Sequence, residues 1–230
     1  QFLEGFIDSE TGLPFLSFDL WEERLGEHAY SSAAVYAGLK ACAETAGILG
    51  DKSAPADRWN DLAERLFKAI ERNFWKEGLN RFIRSIRVKT NPWGMEEPGA
   101  GVVWIKVNSK GYSRDFSAED YRIDSSLLGL SVPFEVYKPG SEKMNATLDA
   151  IEKNLTARPA GGLYRYEGDN YIGGNPWIIT TLWAALYHIR TGNYNKALEY
   201  FNWTIKSKTG LGFLPEQVDK NKGEAAWVIP

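Results

Sequence analysis

The stretch SSAAVYAGLKACAETAGIL, residues 31–49, and its successor DRWNDLAERLFKAIERNFW, residues 57–75, decide the fold class. In the first, Val35, Leu39, Cys42, Ala46 and Leu49 recur at spacings of four, three, four and three, the period of an α-helix. Its first two turns are small and uncharged, so this helix is expected to be packed on most sides. Cys42 accordingly reads as a buried, inert thiol. Gly50 ends the helix. In the second stretch, Trp59, Leu62, Leu66, Ile70 and Phe74 form one apolar stripe, while Asp61, Glu64, Arg65, Lys68, Glu71 and Arg72 supply a charged outer face. That helix is amphipathic and half exposed.

The alternation continues along the chain. Residues 124–130 predict a short, buried apolar helix. Residues 141–155 are amphipathic, with Met144, Leu148, Ile151 and Leu155 on one stripe. Residues 176–189 are apolar nearly all round and so expected to be buried, with Pro176 in the first helical position behind a Gly174 or Asn175 cap. Residues 193–206 are amphipathic again, through Tyr194, Leu198, Phe201 and Ile205. Buried helices followed by amphipathic ones are what two concentric rings require, the inner ring covered on both sides and the outer on one. The pattern implies an all-α chain of the α/α toroid type rather than a four-helix bundle, whose helices would all be amphipathic alike. No sequence repeat of fixed period supports a TPR or HEAT array. Residues 1–30 read as loop. Residues 82–88 and 102–107 are β-prone and joined by a Pro/Gly-rich stretch, which predicts a small peripheral hairpin.

Composition excludes several functions. The chain has 230 residues and a net charge of −3, from 27 basic and 30 acidic side chains. With no basic stripe, nucleic acid is not an expected partner. No apolar run of about 18 residues suggests a membrane span. One cysteine and two histidines, His28 and His188, make no metal-ligand cluster, and no Gly-rich phosphate loop occurs, so neither metal nor cofactor is expected. The aromatic content stands out: nine Trp and eleven Tyr. Several, among them Trp21, Trp93, Tyr164, Tyr166, Tyr171 and Trp177, sit in polar, Gly-rich segments. Aromatic rings beside carboxylates and amides suit sugars, whose C–H faces stack while their hydroxyls need donors and acceptors.

Three segments could carry chemistry. Asp19-Leu20-Trp21-Glu22-Glu23-Arg24 packs three carboxylates around a Trp and beside an Arg. Repulsion and exclusion of water there would raise a carboxyl pKa, as a general acid needs, although taken alone the cluster also reads as a solvated charged loop. Gly212-Phe213-Leu214-Pro215-Glu216-Gln217 holds one carboxylate between a Pro and an amide, and by itself could equally be a helix cap or loop residue. In Gly162-Leu163-Tyr164-Arg165-Tyr166-Glu167-Gly168-Asp169-Asn170-Tyr171, followed by Gly173-Gly174-Asn175-Pro176-Trp177, the glycines would let backbone approach a ligand while Arg165 and Asp169 supply hydrogen bonds.

Together these segments resemble family 15 glycoside hydrolases, the glucoamylase and glucodextranase group, in three motifs that occur in the family's order. The resemblance implies Glu22 as general acid and Glu216 as general base. It implies sugar contacts from Trp21, Glu23 and Arg165, with Asp19, Asp169 and Trp177 supporting the pocket. It implies a six-hairpin α/α toroid, of which residues 1–230 would form a single carboxyl-terminal part, lacking the amino-terminal helices and the last helix. The expected partners are an α-glucan or oligosaccharide substrate and the missing remainder of the same catalytic domain. Calcium occurs in the family, but no dedicated loop is seen here. Localisation stays open.

The expected reaction is inverting, exo-acting release of glucose from starch-type α-glucans. Inversion requires room for a water, so the two carboxyl groups would stand about 6.5–9.5 Å apart. Dextran-type α-1,6 bonds and trehalose are alternatives within the family. An inactive carbohydrate-binding or structural half-toroid is an alternative outside it. A polysaccharide lyase is disfavoured, because that chemistry calls for a Tyr or His base and a cation to neutralise a uronate.

Overall fold

The computed structural model describes residues 2–89 and 117–226. The strand expected at residues 102–107, the Pro/Gly-rich stretch with Trp93, and the final four residues lie outside the described residues. In chain order the elements are α1 (Phe2–Gly5), β1 (Ser17–Phe18), β2 (Leu25–His28), α2 (Ala29–Leu49), α3 (Ala56–Phe74), β3 (Trp75–Lys76), β4 (Arg81–Phe82), β5 (Ser85–Lys89), β6 (Ser117–Asp120), α4 (Glu142–Leu155), α5 (Ile178–Arg190) and α6 (Tyr194–Lys206). A fully buried 3-10 turn, Ser125–Leu130, stands where a short apolar helix was expected. The chain divides into two compact units, Gln1–Arg122 with Pro133–Val136 and Ile123–Val132 with Tyr137–Pro230.

In the first unit α2 and α3 pack antiparallel-hairpin fashion around Leu39, Leu62 and Ala63, with Val35, Tyr36 and Trp59 against them. The stripe on α3 behaves as its spacing dictates, since Leu62, Leu66, Ile70 and Phe74 are all buried. Truncating such a residue to Ala costs about 2–5 kcal/mol. Gly50 ends α2 with φ +64, its N–H donating to the Ala46 and Gly47 carbonyls, a conformation that a residue with a Cβ adopts at a cost. α2 itself departs from expectation. Its carboxyl-terminal half buries only Ala43 and Ala46, and Cys42 is exposed. Of the expected stripe, Leu39 and Ala46 are buried, while Cys42 and Leu49 are exposed and Ala43 is buried beside Cys42.

The amino-terminal segment is not all loop. β1 and β2 form an antiparallel hairpin with Ser17 opposite Gly26 and Phe18 opposite Leu25. This hairpin joins a four-stranded antiparallel sheet of order β1-β2-β5-β6, larger than the peripheral hairpin expected. His28 locks it: its Nδ1 lies 2.6 Å from Ser85 Oγ and its Nε2 2.9 Å from the Ser17 carbonyl. Burial pushes the His28 pKa down, against the raising effect of the Ser17 bond. Strands of two to five residues, paired 59 residues apart in sequence (Glu27 with Ile86), leave no periodic trace.

In the second unit α4 buries Met144, Leu148, Ile151 and Leu155, as expected. α5 starts two residues later than expected, at Ile178, with Trp177 extended at its N-cap. Trp177 pairs with both Leu163 and Gln217, so the backbone around it is committed to strand-like bonding and cannot begin a helix. α5 is also less enclosed than its composition suggests: Ile179, Leu186 and Ile189 are exposed. On α6 the apolar stripe faces outward, with Tyr194, Leu198, Phe201 and Ile205 all exposed, while Ala197, Tyr200 and Thr204 are buried. The small Ala197 lets α5 approach, and the Tyr200 hydroxyl donates to Glu152 Oε1 at 2.7 Å, the same oxygen that His188 Nε2 meets at 2.8 Å. The outward stripes of α5 and α6 line a groove of about 580 Å³.

Candidate active site

Residues 19–24 occupy the loop of the β1–β2 hairpin. Asp19 organises it. Its amide donates to the Arg24 carbonyl at 2.9 Å and its carbonyl accepts from the Glu22 amide at 3.1 Å. Its Oδ1 accepts from the amides of Glu23 (2.8 Å) and Arg24 (3.3 Å). One short side chain thus closes both ends of the turn. Glu22 sits at the tip with φ +59, a conformation costly for a non-glycine residue.

The charges in this loop are not left to repel one another. Arg24 Nη1 donates to Glu23 Oε2 at 2.8 Å and lies 3.7 Å from Asp19 Oδ2. Its Nε stands 3.9 Å from Asp120 Oδ2. Asp120 in turn accepts from Arg84 Nε at 2.9 Å and Nη2 at 2.6 Å, and both partners are buried. Burial works to raise the Asp120 pKa, but the Arg84 guanidinium and the Arg122 amide outweigh it and hold the carboxyl below its usual range. Trp21 is half-buried beside the turn, and Glu22 is exposed. Among the described residues the Glu22 carboxyl makes no hydrogen bond or ion pair.

The other candidate residues lie in the second unit. Arg165 is almost fully buried and forms a bidentate pair with Asp169, Nε to Oδ2 at 2.8 Å and Nη2 to Oδ1 at 2.7 Å. Such a fork fixes both the charge and the plane of the guanidinium. Three rings surround it, Tyr166, Tyr171 and Trp177, with centroids 5.1, 4.9 and 4.8 Å from the guanidinium carbon. Asp169 also takes the Tyr171 amide at 3.0 Å.

Two glycines of this segment are required by packing inside the unit. A Cβ on Gly162 would lie 2.4 Å from the Trp203 ring, and one on Gly174 2.3 Å from the Asp169 carbonyl oxygen.

Residues 214–218 are laid against this loop. The Glu216 carbonyl accepts from the Ile178 amide at 3.1 Å, and the Val218 amide donates to the Pro176 carbonyl at 3.0 Å. Glu216 is half-buried between the buried Pro215 and Gln217. Gln217 Oε1 accepts from Asn175 at 3.3 Å, while its Nε2 has no partner among the described residues. The structure therefore brings Asp19, Trp21, Glu22 and Glu23 together in one unit, and Arg165, Asp169, Trp177 and the Glu216 segment together in the other. Sequence reasoning missed Arg84 and Asp120, because they sit among many charged residues 36 positions apart and no local pattern marks them as a pair.

Among the described residues no group of three His, Cys, Asp or Glu side chains could hold a metal ion, and no helix is long and apolar enough to cross a membrane.

Comparisons with known proteins agree on one family. Residues 13–220 match the model described as Glycosyl hydrolases family 15. The chain is 35% identical over 226 residues to an uncharacterized glycosyl hydrolase of Methanocaldococcus jannaschii, covering 93% of this chain and 31% of that protein. It is 25% identical over 203 residues to an isomaltose glucohydrolase of Kribbella flavida, covering 87% of this chain and 43% of that one. A solved bacterial glucoamylase in complex with acarbose superposes with a TM-score of 0.66 at 23% identity, over 89% of this chain and 31% of its own. The fold is that of the α/α-toroid glycosidases, and the chain spans less than half the length of these relatives.

Proposed function

Because the chain belongs to glycosyl hydrolase family 15, we propose that it carries the paired carboxylates of an inverting, exo-acting hydrolase that releases glucose from the nonreducing ends of starch-type α-glucans. Glu22 is the general acid and protonates the glycosidic oxygen. Glu216 is the general base and deprotonates a water on the opposite face of the sugar. Trp21 and Glu23 contact sugar from the acid side. Arg165 contacts it from the base side, with its plane set by Asp169 and its faces by Tyr166, Tyr171 and Trp177. On this reading the chain supplies the carboxyl-terminal part of an (α/α)6 domain. The rest of that domain covers the outward apolar stripes of α5 and α6, a surface too continuous to be indifferent to water.

The observation that carries the reading is the acid hairpin. Asp19, Glu23 and Arg24 are tied to one another, and the one carboxyl of the loop left without a partner among the described residues is Glu22, held outward at the tip by a left-handed backbone. A carboxyl meant only to balance charge would join the network.

The test is Glu22→Gln and Glu216→Gln in the whole protein, with maltose as substrate. Each change keeps shape and removes proton transfer. Each is expected to lower kcat by about 10²–10⁴, and proton NMR of fresh wild-type product should show β-glucose first. A rate within tenfold of wild type for Glu22→Gln would remove its acid role, and α-glucose as first product would remove inversion. The isomaltose glucohydrolase relative favours a second reading, in which the bond cleaved is α-1,6. A higher kcat/KM on isomaltose than on maltose selects it.

A further inference from the structure

Charges of alternating sign run from the interior of the first unit to the acid hairpin. Arg84 meets Asp120 through a two-donor contact on one carboxylate oxygen, 2.9 and 2.6 Å. That same oxygen faces Arg24 Nε at 3.9 Å, and Arg24 Nη1 holds Glu23 at 2.8 Å and faces Asp19 at 3.7 Å. A buried ion pair contributes little net stability compared with apolar side chains of the same size. Arg84 and Asp120, at 3% and 7% side-chain exposure, are therefore poorly explained as glue. They are well explained as an anchor. Arg24 is a planar fork with two edges. Asp120 draws the Nε edge inward, which aims the Nη1 edge at Glu23 and Asp19. Loss of Asp120 would remove the inward pull on the Nε edge.

We propose that Asp120, itself held by Arg84, is a positioning residue that fixes Arg24 and through it the Glu23 carboxylate and the turn bearing Trp21 and Glu22. The inference rests on the reading of Glu22 as acid and Glu23 as sugar contact. Asp120 touches no reacting atom and acts through Arg24, whose other edge holds the Glu23 carboxylate.

The decisive comparison uses two variants in the whole protein. Asp120→Asn removes one negative charge and leaves Arg84 buried beside an amide. Arg84→Met with Asp120→Leu removes both charges at similar volume and leaves no uncompensated ion, so the fold is retained. Both variants are expected to lose at least tenfold in kcat/KM on maltose, chiefly in kcat. Both should also speed hydrogen exchange at the amides of Glu22, Glu23 and Arg24, which are bonded to Asp19 in the native turn. The pH profiles should differ. Loss of one negative charge favours ionised carboxyls nearby, so the alkaline limb of kcat/KM moves to lower pH in Asp120→Asn and stays in place in the double variant. A purely structural role would lower the melting temperature of the double variant and leave its kcat/KM on maltose at the wild-type value.

The proposal is overturned if the double variant keeps kcat/KM within threefold of wild type, or if activity falls while exchange in the 19–24 turn is unchanged. Should Asp120→Asn not fold, the double variant alone decides between these outcomes. Retention of activity by Glu22→Gln would instead remove the underlying reading of the reaction, and the exchange measurement would still report whether Asp120 holds the turn.

Discussion

Replacing Glu27 with Gln is expected to flatten a pH dependence of stability that the native fold builds in. Glu27 lies on β2, the strand that leaves the turn of residues 19–24, opposite Ile86. Its side chain is 1% exposed, and its Oε2 has no hydrogen-bond partner among the described residues. Burial pushes its pKa from 4.5 up to about 7. A bond with Thr11 and the Arg87 guanidinium 3.5 Å away pull it back only in part, and the charge of Asp8 adds to the rise. Arg87 is itself shared, with Asp8 at 2.7 Å and with Glu10.

The sign follows from the direction of the shift. The folded protein binds this proton more tightly than the unfolded chain does. The stabilisation is fully present below about pH 4.5 and is lost as pH rises through about 7. A rise from 4.5 to about 7 corresponds to on the order of 3 kcal/mol. His28, with a lowered pKa, works in the opposite sense: its contribution is lost as pH falls below the ordinary histidine range. It is present in both proteins and cancels in their difference.

The measurement is urea unfolding followed by tryptophan fluorescence, for wild type and Glu27→Gln, at intervals from pH 5 to 8. The stability of Glu27→Gln relative to wild type should climb with pH by about 2–3 kcal/mol across that range. A difference that stays flat, or falls as pH rises, refutes the argument that this carboxyl is buried as a neutral acid.

Two further perturbations test the second unit. Gly162→Ala places a Cβ 2.4 Å from Trp203 ring carbons at a φ of +74, whereas Gly168→Ala at φ +80 meets nothing within 4 Å. Both incur the left-handed backbone cost of about 1 kcal/mol, and Gly162→Ala should lose a further ~1–3 kcal/mol from overpacking in denaturant unfolding. Equal losses would mean that Trp203 yields freely. Asp169→Ala strips the buried Arg165 of its bidentate partner and should destabilise by about 3–5 kcal/mol, a fall of roughly 10 °C in Tm. A fall of less than about 2 °C would show that the remaining contacts can hold the guanidinium.

The stripe of α3 and the stripe of α4 were fully legible, because a helix whose apolar residues recur at three and four has one face to bury and both helices bury it. The same period on α6 located the helix but not its orientation. Tyr194, Leu198, Phe201 and Ile205 face outward, while Ala197, Tyr200 and Thr204 are buried. Periodicity records that an apolar face exists, and only the neighbouring elements decide which face they reach. The order of the Trp21-Glu22, Arg165-to-Trp177 and Pro215-Glu216-Gln217 segments carried the family, because the residue types needed at a sugar site are local and contiguous.

What holds those segments is neither local nor contiguous. The Asp19 turn could be read from the sequence as a charged cluster, but its setting in a sheet depends on β2 meeting β5. The anchoring of Arg24 depends on Asp120 and Arg84, which are brought together across 36 residues. Ion pairs between distant residues leave no spacing rule, since a charge is equally at home in water until the fold removes the water. The sequence by itself therefore determined where the long helices form and which carboxyls are candidates for chemistry. The tertiary structure decided which charges are buried, which are paired, and that among the described residues the Glu22 carboxyl alone in its turn has no partner.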